Sequence, residues 1–141
     1  MQTTNISKYP NTYYRVSLKA IIRNKKGEVL VVKEKGSKWS LPGGGIDHNE
    51  NFEDGLKREM YEEAKITQSF SINIVGVDAF FRQKNQDYLM WVICEITFDE
   101  PLLYGVGEDA DEVAFMDPAS FKNSEFLSEQ LVYKWCAGKS T

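Results

Sequence analysis

The chain has 141 residues, of which 42% are hydrophobic and 27% charged, the size and composition of one globular domain. Its 17 Lys and Arg against 21 Asp and Glu leave a net charge of −4, which argues against a protein that wraps nucleic acid with a basic face. An acidic substrate stays open, because a bound metal can supply positive charge locally. No apolar run approaches the roughly 18 residues of a membrane span.

The polar stretch Met1 to Pro10 has no apolar segment of a secretory signal. Residues 1–12 are expected as a flexible arm ahead of a single domain over 13–141. Val16 to Arg23 is rich in β-branched residues and reads as a strand, followed by a turn at Asn24-Lys25-Lys26-Gly27 and a second strand at Glu28 to Lys33, so a hairpin is predicted. Trp39-Ser40-Leu41 leads into Pro42-Gly43-Gly44-Gly45, predicted as a loop. A helix follows, with Asn51 as N-cap and Asp54 at N3. Phe52, Leu56, Met60 and Ala64 recur every four residues as its apolar stripe, and it should stop near Lys65. Ser69 to Gln83 and Asp87 to Phe98 form a second hairpin around Lys84-Asn85-Gln86. Pro101 to Asp109 is loop, Glu112 to Met116 a short strand, and Asp117-Pro118 opens one helical turn. Ser124 to Ala137 is a final helix with Phe126, Leu127, Gln130, Leu131, Lys134 and Trp135 on its packing face and Gly138 as its stop. Strands interrupted by one helix and closed by another predict an α/β (α+β) fold, a sheet between helices. Cys94 and Cys136 sit in apolar segments and read as buried thiols of a reducing compartment, so a cytoplasmic location is expected.

The chemistry concentrates in Gly43 to Ile66. Glu59, Glu62 and Glu63 are spaced i, i+3, i+4 and fall within an arc of about 100°. Like charges at these spacings repel by a few tenths of a kcal/mol per pair. Glu63 lies within the azimuth of the apolar stripe, so the acids border the buried face. Partly buried carboxylates need a partner, and a divalent cation is the natural one; a solvated acidic face is the competing reading. Gly55 costs about 1 kcal/mol against Ala in a helix interior and lies on the same side, where its missing side chain permits close approach or tight packing on a strand.

This segment resembles the signature of the Nudix hydrolase family: Gly, five residues, Glu, seven residues, then Arg-Glu-apolar-x-Glu-Glu-x-Gly-apolar. Gly44, Glu50, Arg58, Glu59, Met60, Glu62, Glu63 and Ile66 match in spacing, and the preceding Ser-Leu-Pro-Gly-Gly-Gly is also similar. Lys65 departs, standing where the family has Gly. An αL Lys there would cost about 1 kcal/mol, a matter of local stability more than of catalysis. The resemblance implies a Nudix-like α/β/α sandwich with a mixed sheet. It also implies hydrolysis of a nucleoside diphosphate linked to another moiety, with Mg²⁺ or Mn²⁺ as cofactor. Glu62 and Glu63 are then the principal metal ligands, and Glu59 a ligand or general base. Arg58 orients the glutamates, and Gly44 or Gly45 offers a backbone carbonyl and room for substrate. Glu50 braces the loop. Late-loop acids Glu108, Asp109, Asp111 and Glu112 are further metal candidates, with solvated loop acids as the plainer reading.

Among aromatics that could line a cleft, Trp39 and Phe81 are carried as substrate contacts beside Phe80, Tyr88 and Trp91, with core packing as the alternative for each. Tyr13-Tyr14-Arg15 reads as part of an edge strand, and His48 as a surface loop residue. No downstream Pro or Tyr marks the family's ADP-ribose or dinucleoside-polyphosphate branches. The expected partner is a nucleotide-derived small molecule, with a 5′-phosphorylated RNA end as the one nucleic-acid form to test. No membrane partner is expected. The aromatic content and the long strands offer surface for a homodimer. A catalytically silent nucleotide-sensing or protein-binding domain is the competing function.

Overall fold

A computed structural model describes residues 13–138; the arm expected at 1–12 lies outside the described residues. Among the described residues seven strands and two helices are laid out in chain order. They are β1 (Tyr14–Ile21), β2 (Val29–Glu34), β3 (Trp39–Ser40), β4 (Gly43–Gly45), α1 (Phe52–Ala64), β5 (Phe70–Arg82), β6 (Asp87–Phe98), β7 (Ala110–Met116) and α2 (Leu127–Cys136), with a 3₁₀ turn at Pro118–Phe121. A mixed sheet has the order β4-β1-β6-β5, with β1 and β6 parallel. A second, antiparallel sheet has the order β3-β2-β7.

The strands alternate between two cores, as the two-residue period of a pleated sheet requires. Leu18, Ala20, Ile22, Leu30, Val92, Cys94 and Ile96 pack with Leu56, Met60 and Ala64 of α1. Ile21, Val29, Val31, Trp91 and Ile93 pack with Leu131, Val132 and Cys136 of α2. The result is the expected α/β/α sandwich.

Three local expectations are corrected. The first hairpin survives only at its tip, where Leu30 N–H donates to the Ile22 carbonyl (2.9 Å) and Asn24 N–H to that of Glu28 (3.0 Å). Beyond it β1 and β2 part into different sheets, because both edges of β1 are taken by β4 and β6. This also makes β1 an interior strand, not an edge. The run Gly43–Gly45 is not loop but strand β4, antiparallel to β1. On the packing face of α2, Leu131 and Trp135 stand as expected with Val132 and Cys136 beside them, but Phe126 is its N-cap and Phe126 and Leu127 are exposed.

Helix α1 is bounded as its sequence indicates. Asn51 accepts from Asp54 N–H at 2.9 Å, and Leu56, Met60 and Ala64 are buried, while Phe52 in the first turn is exposed. Lys65 ends the helix in the left-handed region (φ 55°, ψ 29°). Its N–H reaches the Tyr61 carbonyl (3.0 Å), the bond of an αL close, and Ile66 N–H reaches that of Met60 (3.3 Å). An L side chain is strained there, so Lys65→Gly is expected to raise stability by up to about 1 kcal/mol, less the entropy Gly adds to the unfolded chain. An unchanged urea midpoint would show that the strain is relieved elsewhere.

Candidate active site

The acidic face of α1 meets the glycine strand β4 at the edge of the mixed sheet. A Cβ on Gly44 would lie 2.8 Å from the Glu59 carboxylate, and one on Gly45 would collide with the Arg15 guanidinium. Glycine therefore makes room on both faces of this edge: one lets α1 bring the Glu59 carboxylate in, the other lets β1 bring the Arg15 guanidinium in. Gly44→Ala should push aside only the end of the Glu59 side chain. It is expected to reduce any hydrolytic rate at least tenfold while leaving the melting temperature nearly unchanged.

Arg58 organises the acids. Its Nε donates to Glu50 Oε2 (2.7 Å) and Nη2 to Glu50 Oε1 (3.0 Å), while Nη1 donates to Glu59 Oε1 (3.0 Å) and Glu62 Oε1 (3.1 Å). Nη2 also reaches the Gly45 carbonyl at 3.1 Å. Glu50 in turn accepts from Asp47 N–H (2.9 Å) and so ties the loop to the helix. The Arg58 hydrogen bond, and then that of Asp47, hold the Glu50 carboxyl down at about 2. Glu59 is shifted upward instead, because burial outweighs Arg58.

Glu63 is the buried member. It is 2% exposed, and its Oε1 accepts from Gly43 N–H at 2.8 Å. Burial pushes its carboxyl up to about 9; the Lys19 ammonium works against this and Glu34 adds to it. Lys19 is buried too. Its Nζ donates to the carbonyls of Leu41 (3.2 Å) and Gly43 (3.3 Å) and to Ser40 Oγ (3.3 Å), and it lies 4.8 Å from the centre of the Trp91 ring.

These groups open onto one cavity of about 960 Å³, whose walls include Glu59, Glu62, Glu63, Gly44 and Gly45. Its cationic side carries Arg15, Lys19, Lys35, Lys38, Arg82 and Lys84, and its apolar side Leu89, Trp91, Phe126 and Leu127. Of the late-loop acids only Asp109 lines the cavity. Asp111 accepts from Gly36 N–H (3.3 Å) and Glu112 pairs with Lys33 (3.2 Å), while Glu108 is exposed. The loop is fixed on the end of α1: Gly105, Gly107 and Asp109 donate their N–H groups to the carbonyls of Ala64, Glu63 and Glu62 at 2.9, 2.9 and 3.0 Å.

The two aromatic substrate contacts are placed elsewhere. Trp39 packs against the α2 core, under Lys33 at 4.9 Å. Phe81 points from the opposite face of the sheet and packs on Tyr88 with ring centres 5.0 Å apart. Neither lines the cavity. His48 is an exposed loop residue, as expected. Sequence reasoning missed Lys19 and Glu34. A single lysine inside the apolar strand Val-Ser-Leu-Lys-Ala-Ile-Ile was the available signal, since lysine is seldom buried without a partner.

The donor set fits a hard divalent cation. It is all oxygen, and Arg58 engages only Oε1 of Glu59 and of Glu62, so each carboxylate has a second oxygen to offer. Among the described residues no three acidic, His or Cys side chains are grouped so as to hold a metal ion by themselves. A cation here would take one or two of these carboxylates and complete its shell with water and phosphate oxygens.

The NUDIX domain model matches residues 13–136, and the chain belongs to the Nudix hydrolase family. It is 43% identical over 56 residues to an RNA pyrophosphohydrolase of Actinobacillus pleuropneumoniae serotype 5b (strain L20), covering 39% of this chain and 27% of that protein. It is 29% identical over 105 residues to the RNA pyrophosphohydrolase of Hamiltonella defensa, covering 64% of each. The chain thus spans less than two thirds of the length of these relatives. The fold is shared with a MutT protein of Methanosarcina mazei Go1 (TM-score 0.70, 22% identity, 88% of this chain and 94% of that one). It is also shared with a bifunctional NMN adenylyltransferase/ADP-ribose pyrophosphatase of Francisella tularensis solved with AMP and a Mn ion (TM-score 0.57, 18% identity, 89% and 38%). No described helix is long and apolar enough to cross a membrane.

Proposed function

We propose that this chain hydrolyses a phosphoanhydride bond in a nucleoside diphosphate linked to a further group, using Mg²⁺ or Mn²⁺, in the cytoplasm. One observation carries the reading: three carboxylates of one helix share a cavity with six cationic side chains, Arg15, Lys19, Lys35, Lys38, Arg82 and Lys84. Acids alone would repel a polyphosphate and cations alone would bind it without activating water; together they suit a metal–phosphate complex.

Glu62 and Glu63 hold the cation, and Glu59 is a further ligand or the base that takes a proton from the attacking water. What the bound cation supplies is charge shielding, a lowered pKa for the water nucleophile and stabilisation of the leaving phosphate. Arg58 fixes the carboxylates without consuming their second oxygens. Lys19 fixes the Leu41–Gly43 backbone that Glu63 grips. Arg15, Lys38, Arg82 and Lys84 neutralise the rest of the phosphate chain. Trp91 and Phe126 offer aromatic surface for a base.

The relatives named RNA pyrophosphohydrolases support including an RNA end among the substrates. The test is a panel of nucleoside triphosphates, ADP-ribose, dinucleoside polyphosphates and 5′-triphosphate RNA with Mg²⁺. Release of phosphate, pyrophosphate or a mononucleotide from at least one member is expected, and is abolished by EDTA. No release from any member would remove the proposal.

A further inference from the structure

The mixed sheet is only partly covered by α1. The register pairs Ile74 with Cys94, Val77 with Val92, Ala79 with Met90 and Phe81 with Tyr88, and pairs Met90 and Tyr88 in turn with Val16 and Tyr14. Paired residues share a face, and Cys94 and Val92 belong to the α1 core, so this whole set lies on the α1 side. Beyond the reach of the helix it is open. Ile74 and Val77 are each 53% exposed, Tyr14 45%, Tyr88 40% and Phe81 39%. Tyr13 at 81% continues the patch. Tyr14, Tyr88 and Phe81 form an aromatic row, with ring centres 5.3 and 5.0 Å apart.

We infer that this face of the β5–β6 hairpin is where two copies of the chain pack together. The exposed apolar area of these side chains is on the order of 600 Å², at the upper end of what a monomer leaves open and at the lower bound of one side of a standard interface. The patch carries a complementary pair of features. Ile74 and Val77 project from β5, while a groove of about 450 Å³ opens at its other end, where Tyr13, Tyr14, Val16, Ile46 and Tyr88 are bordered by Arg15, Asp47, His48 and Asp87. A two-fold axis sets the projections of one copy against the groove of the other, as an isologous contact demands. No residue from Phe70 to Val77 is charged, so the projecting end of the surface matches an apolar partner, while Arg15, Asp47 and Asp87 give the groove end both signs of charge, as a self-complementary contact can use.

Packing is face to face, not edge to edge. β5 is the outer strand, but a bulge between Ile74 and Gly76 interrupts its regular register, and bulges blunt an edge against strand addition. The consequence reaches the cavity. The opposite face of the same hairpin supplies Arg82, Leu89 and Trp91 to the cavity wall, so the second copy buttresses that wall from behind.

The experiment is sedimentation equilibrium of the full chain over a concentration series, with Val77→Glu and Ile74→Lys measured alongside. The wild type is expected at twice its 16.2 kDa mass, with both variants shifted to monomer by at least a tenfold rise in dissociation constant and with unchanged far-ultraviolet circular dichroism. If one variant loses its fold, the other carries the test. A wild type that stays monomeric at every soluble concentration overturns the inference, as does a dimer that folded Val77→Glu or Ile74→Lys leaves intact. Neither result depends on whether the chain hydrolyses nucleotides.

Discussion

Replacing Glu63 by Gln is expected to lower kcat by about three orders of magnitude and, in the metal-free protein at pH 8, to raise the melting temperature. The two effects have one cause. Glu63 is buried and its carboxyl is pushed up to about 9, against 4.5 for the ordinary group. The folded state therefore holds this proton more tightly than the unfolded state does. Its contribution to stability is fully present below pH 4.5 and is lost as pH climbs toward 9. Gln is a neutral isostere that still accepts from Gly43 N–H, so it removes the penalty. The stabilisation should be absent at pH 4.5 and grow with pH, which thermal melts in EDTA read directly. A bound cation reverses the preference, because a ligand carboxylate must give up its proton. The same burial that weakens the empty protein thus prepares a strong oxygen ligand. If Glu63→Gln keeps near-normal turnover, Glu63 is no ligand. If it melts lower than wild type at pH 8, the buried acid is ionised and paired more fully than its surroundings indicate.

Arg58→Ala has the second large effect. One guanidinium serves Glu50, Glu59, Glu62 and the Gly45 carbonyl, and Arg58 is itself held further above its ordinary value, chiefly by Glu50. Without it the acids repel one another and the loop from Gly45 to Glu50 loses its anchor on α1. A stability loss of about 2 kcal/mol is expected for partly exposed charge-assisted bonds, with kcat lowered at least a hundredfold. Arg58→Lys should recover part of the stability and little of the rate, since an ammonium cannot reproduce the planar fork. Urea midpoints and kcat for the two variants separate anchoring from positioning. Equal recovery of both would mean that Arg58 acts only as a charge.

The sequence exposed the local parts of this site well. Asn51, the stripe Leu56, Met60, Ala64 and the stop at Lys65 are written at fixed spacing within one helix, where every neighbour is three or four residues away. Arg58 and the three glutamates were legible for the same reason. What could not be read were contacts set by topology. Lys19 lies under Glu63 only because β1 runs beside β4, and the glycine run becomes a strand for the same reason. The aromatics failed on facing: Trp39 and Phe81 alternate away from the cavity, whereas Trp91 faces it, and no local signal fixes which face of a strand a helix will cover. The apolar character of Phe126 and Leu127 suits the α2 core and a cavity wall equally, and they stand on the wall. The parting of β1 from β2 likewise depended on partners distant in sequence.

The central claim is that Glu62 and Glu63 hold a divalent cation in this cavity, with Glu59 beside them as a further ligand or the base. Titration of Mn²⁺ into the full chain, followed by the loss of the free-ion electron paramagnetic resonance signal, tests it most directly. Saturable binding is expected in the wild type, with Glu62→Gln and Glu63→Gln each weakening it at least tenfold while remaining folded. Undiminished Mn²⁺ binding by both folded variants would contradict the account.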